Sequence, residues 1–197
     1  MFTGIIETMA QISQISQDGT NVHFDLTCPI QSELTVDQSV SHNGVCLTVV
    51  AVSPKSYRVT AVQETLQKTN LGDWRVGDQV NIERCMPADG RFDGHIVQGH
   101  VDQVGTVTQM VDKGGSWEFD FVYDPSMGNI TVEKGSICVN GTSLTCFNTK
   151  AGGFSVAIIP YTYEHTVFHR LALGDRVNLE FDVVGKYIQR ILKGYQA

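Results

Sequence analysis

The sequence predicts an all-β protein: two tandem homologous six-stranded Greek-key β-barrels followed by a C-terminal amphipathic helix. Three observations support this. A long internal repeat runs at one fixed spacing. Short β-type segments are broken by turn residues at regular intervals. A helical apolar stripe is confined to the tail.

The repeat shows in "SVSHNGVCLTVV" (Ser39 to Val50) and "SICVNGTSLTCF" (Ser136 to Phe147), which are 97 residues apart. The same offset carries Thr65 onto Thr162, Thr69 onto Thr166, Gly77-Asp78 onto Gly174-Asp175, Val80-Asn81 onto Val177-Asn178 and Glu83 onto Glu180. Gly4-Ile5-Ile6-Glu7 aligns with Gly99-His100-Val101-Asp102 at a slightly different offset. Two copies of a module of roughly 85–90 residues are duplicated domains rather than a solenoid. The expected division is 1–97 for the first barrel, 98–184 for the second and 185–197 for the helix.

Within each copy, runs such as "VHFDLTC", "SYRVTAV", "WEFDFVYD" and "GDRVNLEFD" are rich in β-branched and aromatic residues, with Gly, Asn, Asp or Pro between them. Short strands at such spacing suit a barrel or sandwich, and closure into a barrel removes exposed edges. Val80-Asn81-Ile82-Glu83 alternates, so it reads as apolar in and polar out. Asn43-Gly44 and Asn140-Gly141 read as hairpin turns. Gln63–Leu71 and Tyr161–Ala172 break the β pattern and read as a helical turn or two. In "GKYIQRILKGYQ", Tyr187, Ile188, Ile191, Leu192 and Tyr195 share one stripe. Such a helix either packs on its own barrel or pairs with copies in other subunits; both readings stand.

Composition narrows function. The chain is 42% hydrophobic with a formal net charge of −7, which argues against nucleic acid or an anionic membrane as partner. No apolar run is long enough to span a bilayer, and "MFTGIIETMAQI" lacks a basic n-region. The five cysteines (Cys28, Cys46, Cys85, Cys138, Cys146) are odd in number and form no C-x-x-C pair. Free thiols in a reducing cytoplasm are expected.

The repeated strand itself suggests a site. With period two, Val45, Leu47 and Val49 lie on one side and Cys46 and Thr48 on the other; Ser143 and Thr145 hold the corresponding places in the second copy. Small uncharged hydrogen-bonding groups in both halves suit a neutral polar surface: the other half, another subunit or a ligand. The join "CMPADGRFDGHIVQGHVD" is rich in turn residues and carries His95 and His100. These two do not share a strand face, so no metal site is expected there. His165 and His169 read as surface residues.

"MFTGIIE", "NGVCLTV", "ETLQKTNLGD", "VGDQVNIERCM", "GRFDGHIVQGHVD", "KGSICVNGTSLT" and "GDRVNLEFDVVGKY" together resemble the riboflavin synthase family of the duplicated-barrel type, over essentially the whole chain and in order. The resemblance implies dismutation of two molecules of 6,7-dimethyl-8-ribityllumazine. One gives a four-carbon unit to the other, yielding riboflavin and 5-amino-6-ribitylaminopyrimidinedione with no metal or cofactor. It also implies a cytoplasmic homotrimer with sites between subunits, held in part by the tail helix, and leaves association with lumazine synthase open. A non-catalytic lumazine- or flavin-binding antenna protein of the same fold is the nearest rival, and a barrel that only mediates assembly is another.

Residue roles follow from the same resemblance. His100 would assist proton transfer, and Ser143 would add to C7 of the acceptor or position a water that does. Cys46 holds the equivalent place in the first barrel, as nucleophile or as pocket liner. Ser39, Thr48, Gly94, His95, Lys134 and Thr145 would line the pockets, with Thr65 and Thr162 near the ring edges. Gly4, Val101, Asn140 and Ile159 are further binding candidates, and Phe2 belongs to an N-terminal stretch needed for activity. Three positions depart from common family patterns: Asn140 for Asp, Asp93 for Gly and Val45 for Cys or Ile. Asn140 can hydrogen-bond but cannot serve as a base.

Overall fold

The computed structural model describes residues 1–195; the last two residues of the segment 185–197 therefore lie outside the described ones. Six strands close the first barrel: β1 (Thr8–Asp18), β2 (Asn21–Thr27), β3 (Ser39–His42), β4 (Val45–Val52), β5 (Tyr57–Ala61) and β6 (Gln79–Arg84). Their order around the barrel is β1-β2-β5-β4-β3-β6. The second barrel repeats this path with β7 (Gln103–Asp112), β8 (Trp117–Val122), β9 (Ser136–Val139), β10 (Thr142–Lys150), β11 (Gly153–Ile158) and β12 (Arg176–Phe181). All pairings are antiparallel. The helical breaks fall where the sequence places them: α1 (Gln63–Lys68) and α2 (Pro160–His165), each followed by one 3-10 turn. The tail helix α3 covers Val183–Tyr195.

Closure depends on local devices kept in both copies. The first strand of each barrel carries a register shift, between Ile12 and Gln14 in β1 and between Val107 and Gln109 in β7. A bulge adds twist and lets a long strand bend around a small barrel. The hairpins β3–β4 and β9–β10 close through two-residue turns, since His42 pairs with Val45 and Val139 with Thr142. Both turn residues have positive φ: 46° and 81° at Asn43-Gly44, 45° and 83° at Asn140-Gly141. That is a type I′ turn, which Asn-Gly tolerates and whose twist matches the strands.

Apolar residues fill each interior. Phe24, Leu26, Tyr57 and Ile82 are fully buried in the first barrel, as are Phe119, Phe121, Phe154 and Phe168 in the second. Burial of each such side chain contributes about 1.5–3 kcal/mol.

One expectation needs correction. β6 does not turn its polar residues to solvent: Asn81 is 1% and Glu83 4% exposed, and their repeats Asn178 and Glu180 are 1% and 2% exposed. The outer face of this strand meets the other barrel. Asn81 Nδ2 donates to Asn140 O at 2.8 Å, and Asn178 Nδ2 donates to Asn43 O at 2.9 Å. Their Oδ1 atoms accept from Val167 N and Asn70 N. The two turns meet at the centre of this seam, where a Cβ on Gly44 would lie 2.8 Å from Gly141 N. Only glycine permits that approach.

One difference between the cores puts a polar pair inside the first barrel. His42 and Tyr57 stand where the second barrel has Val139 and Phe154. His42 Nδ1 donates to Val40 O at 3.0 Å, which leaves Nε2 to accept from Tyr57 Oη at 3.0 Å. Burial pushes the His42 pKa down to about 4, against the opposing effect of the Val40 carbonyl. An unfolded histidine titrates near 6.5, so the folded state holds fewer protons between these values. Stability is therefore full above about pH 6.5 and falls as pH drops toward 4, by about 2 kcal/mol at pH 5 from this group. Replacing His42→Val together with Tyr57→Phe places the second barrel's residues at these two core positions. Urea unfolding at pH 7.5 and pH 5 should show a loss in the parent protein that is smaller by about that amount in the double variant.

Candidate active site

Two extended arms cross on the seam. One is the N-terminal segment 1–5; the other is the inter-barrel segment 95–100. They pair at Phe2 and Val97, with Phe2 N donating to Val97 O at 2.7 Å and Val97 N to Phe2 O at 3.1 Å. Each arm touches a barrel through a glycine carbonyl. Ser143 N donates to Gly4 O at 2.7 Å, and Cys46 N donates to Gly99 O at 2.9 Å. Gly4 and Gly99 have φ of 78° and 80°, and a Cβ on either would come 2.6 Å from the Cβ of Ser143 or Cys46. Both glycines are thus required by conformation and by space.

The second barrel offers a cleft of about 350 Å³ beside β10. It gathers Ser143, Thr145, Gly94, Ile159 and Thr162, all chosen from the sequence, and adds Ile5 from the N-terminal arm. Ser136, paired with Thr145 across β9–β10, also lines it. The sequence reading missed Ser136 although it is the repeat of Ser39; the 97-residue offset was the available signal. Asp93 stands at the cleft as well.

His95 Nδ1 lies 2.6 Å from Ser143 Oγ. Burial lowers the pKa of this imidazole, and the charge of Asp182 opposes the shift in part. The ring is accordingly neutral near pH 7, able to accept the serine proton or to orient the hydroxyl. The sequence reading treated His95 as a pocket liner; in the structure it is the partner of Ser143. His100 does not line this cleft. It is exposed on the other arm, next to Gly99, whose carbonyl meets Cys46.

The first barrel presents the matching face. Ser39 and Thr48 pair directly across β3–β4, with Cys46 two residues away on the same side of the strand. Val101 packs on this barrel's core, so the second arm ends against the first barrel. Thr65 is half-buried in α1. Burial raises the Cys46 thiol pKa, with a hydrogen bond from Ser39 working against it. A thiol held protonated lines a pocket better than it attacks a ring.

Other candidates lie apart from the cleft. Phe2 is fully buried with Val97 and Cys138, where it anchors the crossed arms. Asn140 is 2% exposed in the seam, and its Oδ1 accepts from Asn178 N at 2.9 Å. Lys134 is exposed, with its ammonium 5.6 Å from the centroid of the Phe147 ring. His165 is exposed, whereas His169 is half-buried and donates from Nδ1 to Thr166 O at 2.6 Å.

The pattern of the lumazine binding domain family matches this chain twice, over residues 3–85 and 98–182. Among curated proteins, riboflavin synthase of Bacillus subtilis is 38% identical over 193 residues, covering 98% of this chain and 90% of the relative. Riboflavin synthase of Mycobacterium bovis is 39% identical, with 98% of each chain covered. That of Saccharomyces cerevisiae is 36% identical over 96% of this chain and 85% of the relative. Among solved structures, LumP complexed with riboflavin superposes with a TM-score of 0.84 at 23% identity, covering 92% of this chain and 99% of that one. At that identity the likeness speaks for the fold alone.

Proton NMR titration of the imidazoles checks the His95 environment. His95 should titrate below the ordinary 6.5, and Asp182→Asn should lower it further, because the carboxylate charge favours the imidazolium. A value at or above 6.5 would show that burial does not govern this group.

Proposed function

The chain belongs to the lumazine binding domain family, and from that premise we propose that it is an enzyme catalysing the riboflavin synthase reaction. One 6,7-dimethyl-8-ribityllumazine molecule transfers a four-carbon unit to a second, giving riboflavin from the acceptor and 5-amino-6-ribitylaminopyrimidinedione from the donor. The atoms of the two substrates equal those of the two products, so the exchange needs no oxidant or reductant. The observation that carries this reading is the duplicated half-site. Each barrel presents a small hydrogen-bonding residue at the same strand position, Cys46 or Ser143, with its N–H held by an arm glycine.

The barrels of one chain meet through the backbones of two tight turns, and stacked rings have no room between them there. Facing half-sites are therefore best supplied by the first barrel of one subunit and the second barrel of another. Exposed apolar residues at the second cleft, Ile5 and Ile159, suit such a partner. So does α3, whose Val184, Tyr187, Ile188, Ile191 and Leu192 are all more than half exposed. We assign this stripe to a homotrimer. Lys186, on the same helix, pairs with Asp102 at 2.6 Å and fastens it to the second barrel.

In the second half-site, Ser143 Oγ adds to C7 of the acceptor or holds the water that does, while His95 takes up the proton. His100 serves the facing half-site. Thr48 and Thr145, both exposed on their strands, and Ser39 and Ser136 meet the ribityl hydroxyls and ring edges. Holding two rings in register supplies up to roughly 7–11 kcal/mol of the barrier in ideal geometry. A cytoplasmic location accords with five cysteines that are all free. No helix among the described residues is long and apolar enough to cross a membrane.

The direct test supplies the lumazine as sole substrate and follows riboflavin absorbance. Ser143→Ala and His100→Ala should each lower turnover by about a hundredfold or more. Binding of the lumazine without riboflavin formation by the parent protein would point to an antenna protein instead. Placing charge on the α3 stripe with Ile188→Glu and Leu192→Glu should shift sedimentation from a trimer to smaller species and reduce turnover with it. A trimer that survives both changes would remove the helix from the interface.

A further inference from the structure

The buried carboxylates of Glu83 and Glu180 lie under the arms and are absent from the chemistry above. Glu83 accepts from Thr3 N at 2.6 Å, Thr3 Oγ1 at 2.9 Å and Gly4 N at 3.0 Å. Glu180 accepts from Gln98 N at 2.7 Å, Gly99 N at 2.9 Å and His100 N at 2.8 Å. Each therefore gathers consecutive backbone donors of one arm. Such charge-assisted bonds are short and strong, and inside a buried seam they fix the arm's path.

The wiring crosses between the barrels. Glu83 stands on β6 of the first barrel, yet the Gly4 it holds gives its carbonyl to Ser143 of the second. Glu180 stands on β12 of the second barrel, yet the Gly99 it holds gives its carbonyl to Cys46 of the first. We propose that Glu83 and Glu180 are positioning residues acting crosswise: Glu83 sets the half-site of the second barrel, and Glu180, together with the backbone of His100, sets that of the first. This rests on the reading of the two faces as half-sites of one reaction. A carboxylate suits the task because it offers only acceptor lone pairs. A glutamine keeps one acceptor and turns an NH2 group toward backbone donors, leaving part of the cluster unpaired in a buried place.

The test reads each half-site separately on the full-length protein. Hydrogen exchange followed by mass spectrometry resolves peptides containing Cys46 from peptides containing Ser143. Glu83→Gln should raise exchange at Ser143 about tenfold or more while Cys46 stays near its parent rate. Glu180→Gln should do the reverse. In turnover assays each variant should lose about tenfold in kcat with a smaller change in KM, because a misplaced half-site still binds but no longer aligns the rings. Glu→Asp at either position, which restores a carboxylate, should recover part of both effects. A purely structural role would lower melting temperature and loosen both peptides alike. Loosening confined to the barrel that carries the mutated glutamate, or no change at either peptide, overturns the proposal. If the glutamine variants do not fold, Thr3→Val decides the matter. It deletes only the hydroxyl donor to Glu83 and should produce a smaller rise at Ser143 alone. Crosswise exchange with normal turnover would retain the wiring and refute the reading of these faces as the reacting half-sites.

Discussion

The rest of the structure depends on the contact of two Asn-Gly turns. Gly44 and Gly141 approach so closely that a Cβ on either would strike the other's backbone nitrogen at 2.8 Å. Around that contact, Asn81 and Asn178 each bond the turn of the opposite barrel through the side-chain amide. Polar groups buried at a seam cost free energy unless they are partnered there. The reciprocal asparagines supply such partners with the same geometry in both directions. A rigid seam fixes where the arms can cross, and the arms fix where Ser143 and Cys46 lie.

Much of this was legible in the residues. A constant offset of 97 residues made the duplication visible, and Asn-Gly with flanking β-type runs made the hairpins visible. The polar face of β4 and β10 could be read because a strand alternates with period two. What alternation could not show was a polar strand face turned to another barrel. Asn81 and Glu83 look like solvent-facing residues in Val80-Asn81-Ile82-Glu83, but the second barrel covers Asn81 and the N-terminal arm covers Glu83. Asn140 was a binding candidate through the family resemblance alone. Its side chain is used in the seam, so Asn at this position serves the turn as an Asp would. The pairing of His95 with Ser143 was illegible because it joins residues 48 apart through an irregular arm with no periodicity to read.

The two copies are not equivalent where chemistry is concerned. Ser143 has an imidazole against its hydroxyl, whereas Cys46 is a thiol kept protonated by burial. Duplication supplies two cradles of one shape, and divergence supplies unlike groups within them. A dismutation needs that combination. Identical substrates must both fit, yet one has to lose carbon while the other gains it, so the environments of the two rings cannot be the same. In the proposed reaction, the difference at a single strand position, set into a common frame by Gly4 and Gly99, would give each ring its part.

The arms also contribute to the wall of the Ser143 cleft. The Ser143 cleft takes Ile5 from the N-terminal arm and Gly94 from just before the inter-barrel arm, so the second barrel does not build this wall alone. Yet Ile5 and Ile159, which line the cleft, leave substantial apolar surface in water. Leaving such surface exposed costs about 25 cal/mol for each Å² that could be buried. Rings stacked under a second subunit would cover it, and the exposed stripe of α3 gives that subunit a place to hold. Assembly and substrate pairing would then draw on the same hydrophobic gain. A site shared between chains would exclude water only when both reactants and both subunits are in place, and would keep the proposed proton transfers at Ser143 and His95 within a dry, aligned pair.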